Sequence, residues 1–172
     1  MANILTVYFS LKGQTIAPGM KIVNLKKGNT AVVAEYIQKA VGGDLFEIET
    51  VKTYIKDHMK MIYEAKEEQK KGIRPELRVF PDSIEEYDTV FVGTPNWWNE
   101  LPMPVVAFLE HFDWKGKKIS PFVTSEGSGV GSMVDQIRKI CQGAEIKEAL
   151  SIRGSEAEVS ESRIDSWTKI KI

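Results

Sequence analysis

The sequence predicts an α/β fold in which a parallel sheet is covered by helices on both faces. Three observations carry this. Short apolar runs alternate with stretches of helical period five times along the chain. The first run, Ile4 to Phe9, is apolar almost throughout rather than alternating, as befits a strand buried on both sides. Polar or glycine-rich loops follow three of the runs, at Ser10 to Thr30, Thr94 to Met103 and Ser125 to Gly131. In open sheets of this class ligands bind beyond the carboxyl ends of the strands, where strand order reverses, so the three loops are expected to meet over one crevice.

The 172 residues, 42% of them hydrophobic, suffice for one core, and one domain spanning residues 1–172 is expected. No window reaches the ~18 consecutive apolar residues of a membrane span, and the first residues lack a cleavable leader pattern. A soluble, unprocessed, cytoplasmic protein is the expectation. The net charge of −1, without a basic block, favours neither nucleic acid nor an anionic membrane as partner. Cys141 stands alone and reads as a small apolar side chain late in a helix, and His58 and His111 show no zinc-ligand spacing.

Taken in order, strand one ends at Ser10, and a loop to Lys27 containing Gly13, Pro18 and Gly19 is far longer than usual between strand and helix. Ser10 to Thr15 resembles a phosphate loop by itself, but Pro18 and Gly19 would break a helix opening there within a turn. After Gly28-Asn29-Thr30, by contrast, Val33, Ile37, Ala40 and Val41 form an apolar stripe that stops at Gly42-Gly43. The first helix is therefore placed there, and residues 11–26 become an inserted excursion. Asp44 to Val51 reads as an edge strand, Ile55 to Lys71 as a surface helix, and Asp82 to Tyr87 as a turn or short helical piece.

Thr89 to Gly93 is a buried third strand, and Pro104 opens a helix carrying Val105, Phe108, Leu109 and Phe112. Lys117 to Thr124 is the fourth strand despite Pro121, which removes a ladder donor. A helix with Val134, Ile137 and Cys141 follows, then a fifth strand from Ile146 to Ile152 and a short C-terminal helix with Ile164 and Trp167.

The first loop suits a phosphate: the hydroxyls of Ser10 and Thr30, the Asn29 amide and backbone N–H groups at a helix N-terminus can hold a dianion. Asn29 or Thr30 could equally serve as an ordinary helix cap. The loop lacks Walker and Gly-x-Gly-x-x-Gly spacing. In the second loop, Trp97-Trp98 sets two large rings at a strand end, which fits stacking on a flat ligand; packing onto the neighbouring helix is the alternative for either one. Gly127, Gly129 and Gly131 in the third loop either admit a ligand edge or serve turns.

With Tyr8-Phe9-Ser10, Gly28-Asn29-Thr30, Pro95-Asn96-Trp97-Trp98 and Glu126-Gly127-Ser128-Gly129 in this order over nearly the whole chain, the sequence resembles the flavodoxin-like family. The resemblance implies a three-layer sandwich, a five-stranded parallel sheet of order 2-1-3-4-5, and bound FMN. Carried over residue by residue, it points to Ser10, Lys27, Gly28, Asn29 and Thr30 around the phosphate. Around the isoalloxazine it points to Thr94, Pro95, Asn96, Trp97 and Trp98 on one side and to Ser125, Glu126, Gly127, Ser128 and Gly129 on the other. Lys27 stands where the family loop has threonine and could add a counter-charge.

The resemblance implies a flavin-dependent oxidoreductase acting on a quinone-like or other small-molecule electron acceptor, or a one-electron carrier serving a redox partner protein. Electron-carrying members are implied to be strongly acidic, and a charge of −1 favours the first reading. The long first loop leaves a third, a flavin-free binding module. No general acid or nucleophile is evident, so no catalytic residue is named.

Overall fold

The computed structural model describes residues 2–172. Strand β1 (Ile4–Tyr8) is buried along its whole length. It lies between β4 (Asp44–Glu47) and β5 (Thr89–Pro95), both parallel to it. Next to β5 come β6 (Lys118–Ser125) and, on its far side, the two short strands β7 (Glu145–Ile146) and β8 (Leu150–Arg153). With β7 and β8 taken as halves of one broken strand, the order is the expected 2-1-3-4-5.

The break resolves the tension at Pro121. The carbonyls of Lys117 and Ile119 accept from Glu145 and Lys147, so alternate residues of β6 face the β7 side. Pro121 continues that set, yet neither β7 nor β8 pairs with it: β7 reaches Lys118 and Ile119, and β8 begins at Phe122. The missing N–H therefore falls in the gap, and the fifth strand expected from Ile146 to Ile152 is correspondingly split.

Helices α1 (Asn29–Val41) and α5 (Glu161–Thr168) cover one face, with a 3-10 turn at Gly154–Val159 packed beside α1. Ile4, Tyr8, Val33, Ile37, Phe91, Phe122, Ile152 and Ile164 form the core there. Helices α2 (His58–Lys71), α3 (Met103–Glu110) and α4 (Met133–Ile140) cover the other. No helix among the described residues is long and apolar enough to cross a membrane.

The excursion is an antiparallel hairpin, β2 (Gly13–Ala17) and β3 (Lys21–Leu25), turning at Pro18-Gly19. Other boundaries shift for local reasons. Strand β4 ends at Glu47 rather than Val51, because the chain then leaves the edge to pair Thr50 with Leu77. Helix α2 starts at His58 rather than Ile55, where the Asp57 carboxylate caps the Lys60 N–H at 3.0 Å. The α1 stripe runs through Val33 and Ile37 to the partly buried Val41, with only Ala40 exposed.

Candidate functional site

At the carboxyl end of β1 the chain leaves at Ser10 and returns at Gly28. A Cβ on Gly28 would stand 2.1 Å from Ser10 Oγ and 2.5 Å from the Leu11 carbonyl oxygen, so only glycine fits there. The Ser10 hydroxyl accepts the Ala31 N–H at 3.2 Å, fastening the start of α1 to the end of β1. Gly28 itself is the N-cap and no side chain caps the helix. The capping alternative for Asn29 or Thr30 is thereby displaced, and with the Ala31 N–H given to Ser10 the helix keeps the Asn29 and Thr30 N–H groups for another acceptor.

The second and third loops are built as one unit. Asn96 donates from Nδ2 to the Gly129 carbonyl at 2.7 Å and accepts the Asn99 N–H at 2.8 Å. The Asn99 carbonyl accepts from both the Ser132 amide and hydroxyl, at 2.8 and 2.7 Å. Ser125 Oγ accepts the Gly129 N–H at 2.9 Å, closing the third loop on itself. Gly127, Gly129 and Gly131 all have positive φ, and a Cβ on Gly131 would lie 2.6 Å from the Asn99 carbonyl oxygen, so these glycines serve turns and loop-to-loop contact.

The adjacent tryptophans diverge. Trp97 is buried, set edge-on to Phe9 and Tyr54 at 5.4 and 5.3 Å between ring centres. Tyr54 is fixed below it by donating to Glu68 at 2.7 Å, and Lys52 pairs with Glu64 and Glu68. Burial and, after it, the hydrogen bond to Glu68 raise the Tyr54 pKa well above the usual tyrosine range. The stacking role expected of Trp97 thus gives way to core packing.

Trp98 is 41% exposed. It sits with Asn99 at the tip of a two-residue turn closed by Trp97 and Glu100, and both tip residues have positive φ, 57° and 64°. Such backbone is uncommon for a bulky side chain and costs on the order of 1 kcal/mol. The ring is held by its own N–H, which donates to the Ile62 carbonyl at 2.6 Å, and by Lys66 Nζ 4.1 Å above its face.

These elements enclose a cavity of about 670 Å³, within the range of small-molecule sites. Eight of the expected residues line it: Asn29 from the first loop, Pro95, Asn96, Trp97 and Trp98 from the second, and Ser125, Glu126 and Ser128 from the third. Three separate loops therefore do converge. Ser10, Lys27 and Gly28 instead border a second cavity of about 1070 Å³ on the other side of the hairpin. Leu11, Gln14, Leu25 and Met61 are common to both, so the hairpin, backed by Met61 of α2, is the partition. Thr30, Thr94, Gly127 and Gly129 line neither. Thr30 is buried with its hydroxyl 2.7 Å from that of Thr124, and Thr94 donates to the Pro95 carbonyl at 2.9 Å.

Lys27 offers no spare counter-charge, because its ammonium pairs with Glu35 at 2.8 Å. Glu126 accepts from the Ser155 amide at 3.1 Å and hydroxyl at 2.7 Å. Several lining residues were not anticipated: Arg153 and Gly154 after β8, His58 at the start of α2, and the hairpin tip from Ile16 to Met20. For the hairpin a signal existed, Pro18-Gly19 between the β-branched pairs Thr15-Ile16 and Ile22-Val23. For Arg153 there was none.

A doubly wound sheet with a ligand-sized cavity over its carboxyl end, walled by three loops, defines a mononucleotide-binding α/β protein of flavodoxin type. The family model described as flavodoxin matches residues 21–170, and the chain belongs to the flavodoxin family. Among solved structures, a Bacteroides eggerthii protein provisionally classed as a flavoprotein is 28% identical, with TM-score 0.78 over 99% of this chain and 98% of that one. Its Bacteroides uniformis counterpart is 27% identical, with TM-score 0.74 over 98% of each. A Lactobacillus acidophilus flavoprotein in complex with FMN is 17% identical, with TM-score 0.66 over 98% of this chain and 99% of that one. No curated protein matches.

Proposed function

We propose that the chain binds FMN in the 670 Å³ cavity and works as a flavin-dependent oxidoreductase that passes electrons to a quinone-like or other small acceptor. The observation that carries the reading is the convergence of three pre-bonded loops on one cavity at the open N-terminus of α1, in a chain of the flavodoxin family. Membership of that family and the FMN complex of a relative with the same fold support the choice of cofactor.

The residues present fit the group. Asn29, the first residue of α1, lines this cavity, and with the Ala31 N–H bonded to Ser10 the N–H groups of Asn29 and Thr30 would receive a phosphate there. Trp98, held from behind by Ile62 and Lys66, presents an indole toward an isoalloxazine, and the third loop supplies backbone groups for its polar edge. Bound flavin would supply the redox chemistry, while the protein orients it, restricts water and sets its electrostatic surroundings. The larger neighbouring cavity leaves space for a small molecule beside the cofactor, which favours an acceptor over a carrier role.

Titrating FMN into the purified protein tests the first half of the reading: quenched flavin fluorescence and a protein-bound visible spectrum are expected, and their absence refutes it. Oxidation of NAD(P)H with quinone acceptors by the FMN-loaded protein tests the second. Absent turnover, together with electron exchange with a redox protein, would select the carrier instead.

A further inference from the structure

The cation expected near the phosphate on sequence grounds, Lys27, is paired with Glu35 and borders the other cavity. Around the 670 Å³ cavity, among the described residues, only Arg153 brings a permanent positive charge. Arg153 closes β8 opposite Ser125 and is exposed. Among the described residues it makes no ion pair and donates no hydrogen bond: the nearby carboxylate, Glu126, is satisfied by Ser155 instead.

Two glycines locate it. A Cβ on Gly127 would lie 3.6 Å from Arg153 Nη2, so the guanidinium rests beside the third loop. A Cβ on Gly154, the next residue, would lie 2.5 Å from Asn29 Nδ2. The absent side chain at 154 thus brings the root of Arg153 against the first residue of α1. An exposed guanidinium without an ion pair among the described residues stands within side-chain reach of the helix N-terminus where a phosphate is expected.

We infer that Arg153 is the counter-charge of the cofactor phosphate, supplied by the last strand rather than by the phosphate loop. The inference rests on the FMN reading and adds to it that this site discriminates FMN from riboflavin by charge. A guanidinium suits the task because its fork meets phosphate oxygens in pairs.

The test is a titration of FMN and of riboflavin into wild type, Arg153→Gln and Arg153→Lys, followed by flavin fluorescence at two salt concentrations. Thermal melts without flavin establish that each variant is folded. Wild type is expected to prefer FMN. Arg153→Gln should lose FMN affinity by about 10-fold or more, with riboflavin unchanged and a shallower salt dependence, while Arg153→Lys falls between. Unchanged FMN affinity in Arg153→Gln overturns the inference. So does equal weakening of both flavins, which would place the guanidinium on the ring. A wild type that binds neither flavin overturns the cofactor reading and this inference with it. A wild type that binds both while the variant is indistinguishable from it overturns this inference alone.

Discussion

Replacing Gly28 by alanine examines the first loop most directly. The backbone there, with φ −64°, suits any residue, so the penalty is purely steric. The new Cβ would meet Ser10 Oγ at 2.1 Å, the Leu11 carbonyl oxygen at 2.5 Å and its carbon at 2.9 Å. Ser10 could rotate away only by surrendering the Ala31 N–H, and the Leu11 carbonyl belongs to the chain and cannot move without shifting the loop. Overpacking at about 1–3 kcal/mol plus one lost hydrogen bond at about 1 kcal/mol gives about 2–4 kcal/mol. In a domain of this size that lowers the melting midpoint by roughly 5–15 °C. Gly42→Ala separates conformational from steric cost: its Cβ would meet nothing within 4 Å, but φ 73° with ψ −155° is backbone that essentially only glycine adopts, so a loss of about 1–3 kcal/mol with unaltered FMN affinity is expected. Thermal and urea melts of both variants, with FMN titrations, make the comparison. A Gly28→Ala protein within about 0.5 kcal/mol of wild type and with unaltered FMN affinity would refute the argument that these two passes of the chain are locked together.

Further variants probe separate features. Trp97→Ala should destabilise the fold by about 3–5 kcal/mol, because it removes a buried ring from the Phe9–Tyr54 cluster. Trp98→Ala should leave stability within about 1 kcal/mol and weaken FMN by about 10-fold, with Trp98→Phe in between; melts and flavin titrations separate the two roles. Thr30→Val and Thr124→Val should each cost about 1–3 kcal/mol by stranding a buried hydroxyl. The double variant should cost less than their sum, as a denaturation cycle would read. Burial holds the Cys141 thiol and the Tyr8 phenol up at about 12, above their ordinary values of 9.0 and 10.0. Both ionise first in the unfolded chain, so stability is complete below pH 9 and declines from there toward 12, by up to ~1.4 kcal/mol per pH unit for each group. Urea melts between pH 7 and 10.5 check the slope, and a thiol reagent should leave Cys141 unmodified until the protein unfolds.

The main sheet is legible in the sequence because its strands are buried from both sides and carry nearly unbroken apolar runs, as Ile4 to Tyr8 and Thr89 to Val92 do. The hairpin is announced only by its Pro18-Gly19 turn and the β-branched pairs around it, since its strands lie on the surface with no buried side chain and so record no clear alternation. Trp97 and Trp98 are chemically identical neighbours. Which one enters the core is decided by a turn with two positive φ values, and Trp98-Asn99 lacks the Asn-Gly signature of such turns. Lys27 looked useful from its place in the loop, but its partner Glu35 lies two turns along α1. Arg153 reaches the site only through the pairing of β8 with β6, a long-range fact that one arginine at a strand end does not announce.

Because Ser10 and Leu11 touch Gly28, the hairpin is sealed at its base by the very junction that shapes the phosphate end of the site. Length or composition can change beyond that seal without tension reaching the sheet, for lengthening a surface loop carries only a small entropic penalty. The same segment separates the two cavities and forms a wall of each. On the proposed reading, access to the cofactor is shaped by a surface hairpin that carries little of the core, so acceptor preference would shift with changes there while the sheet stays as it is.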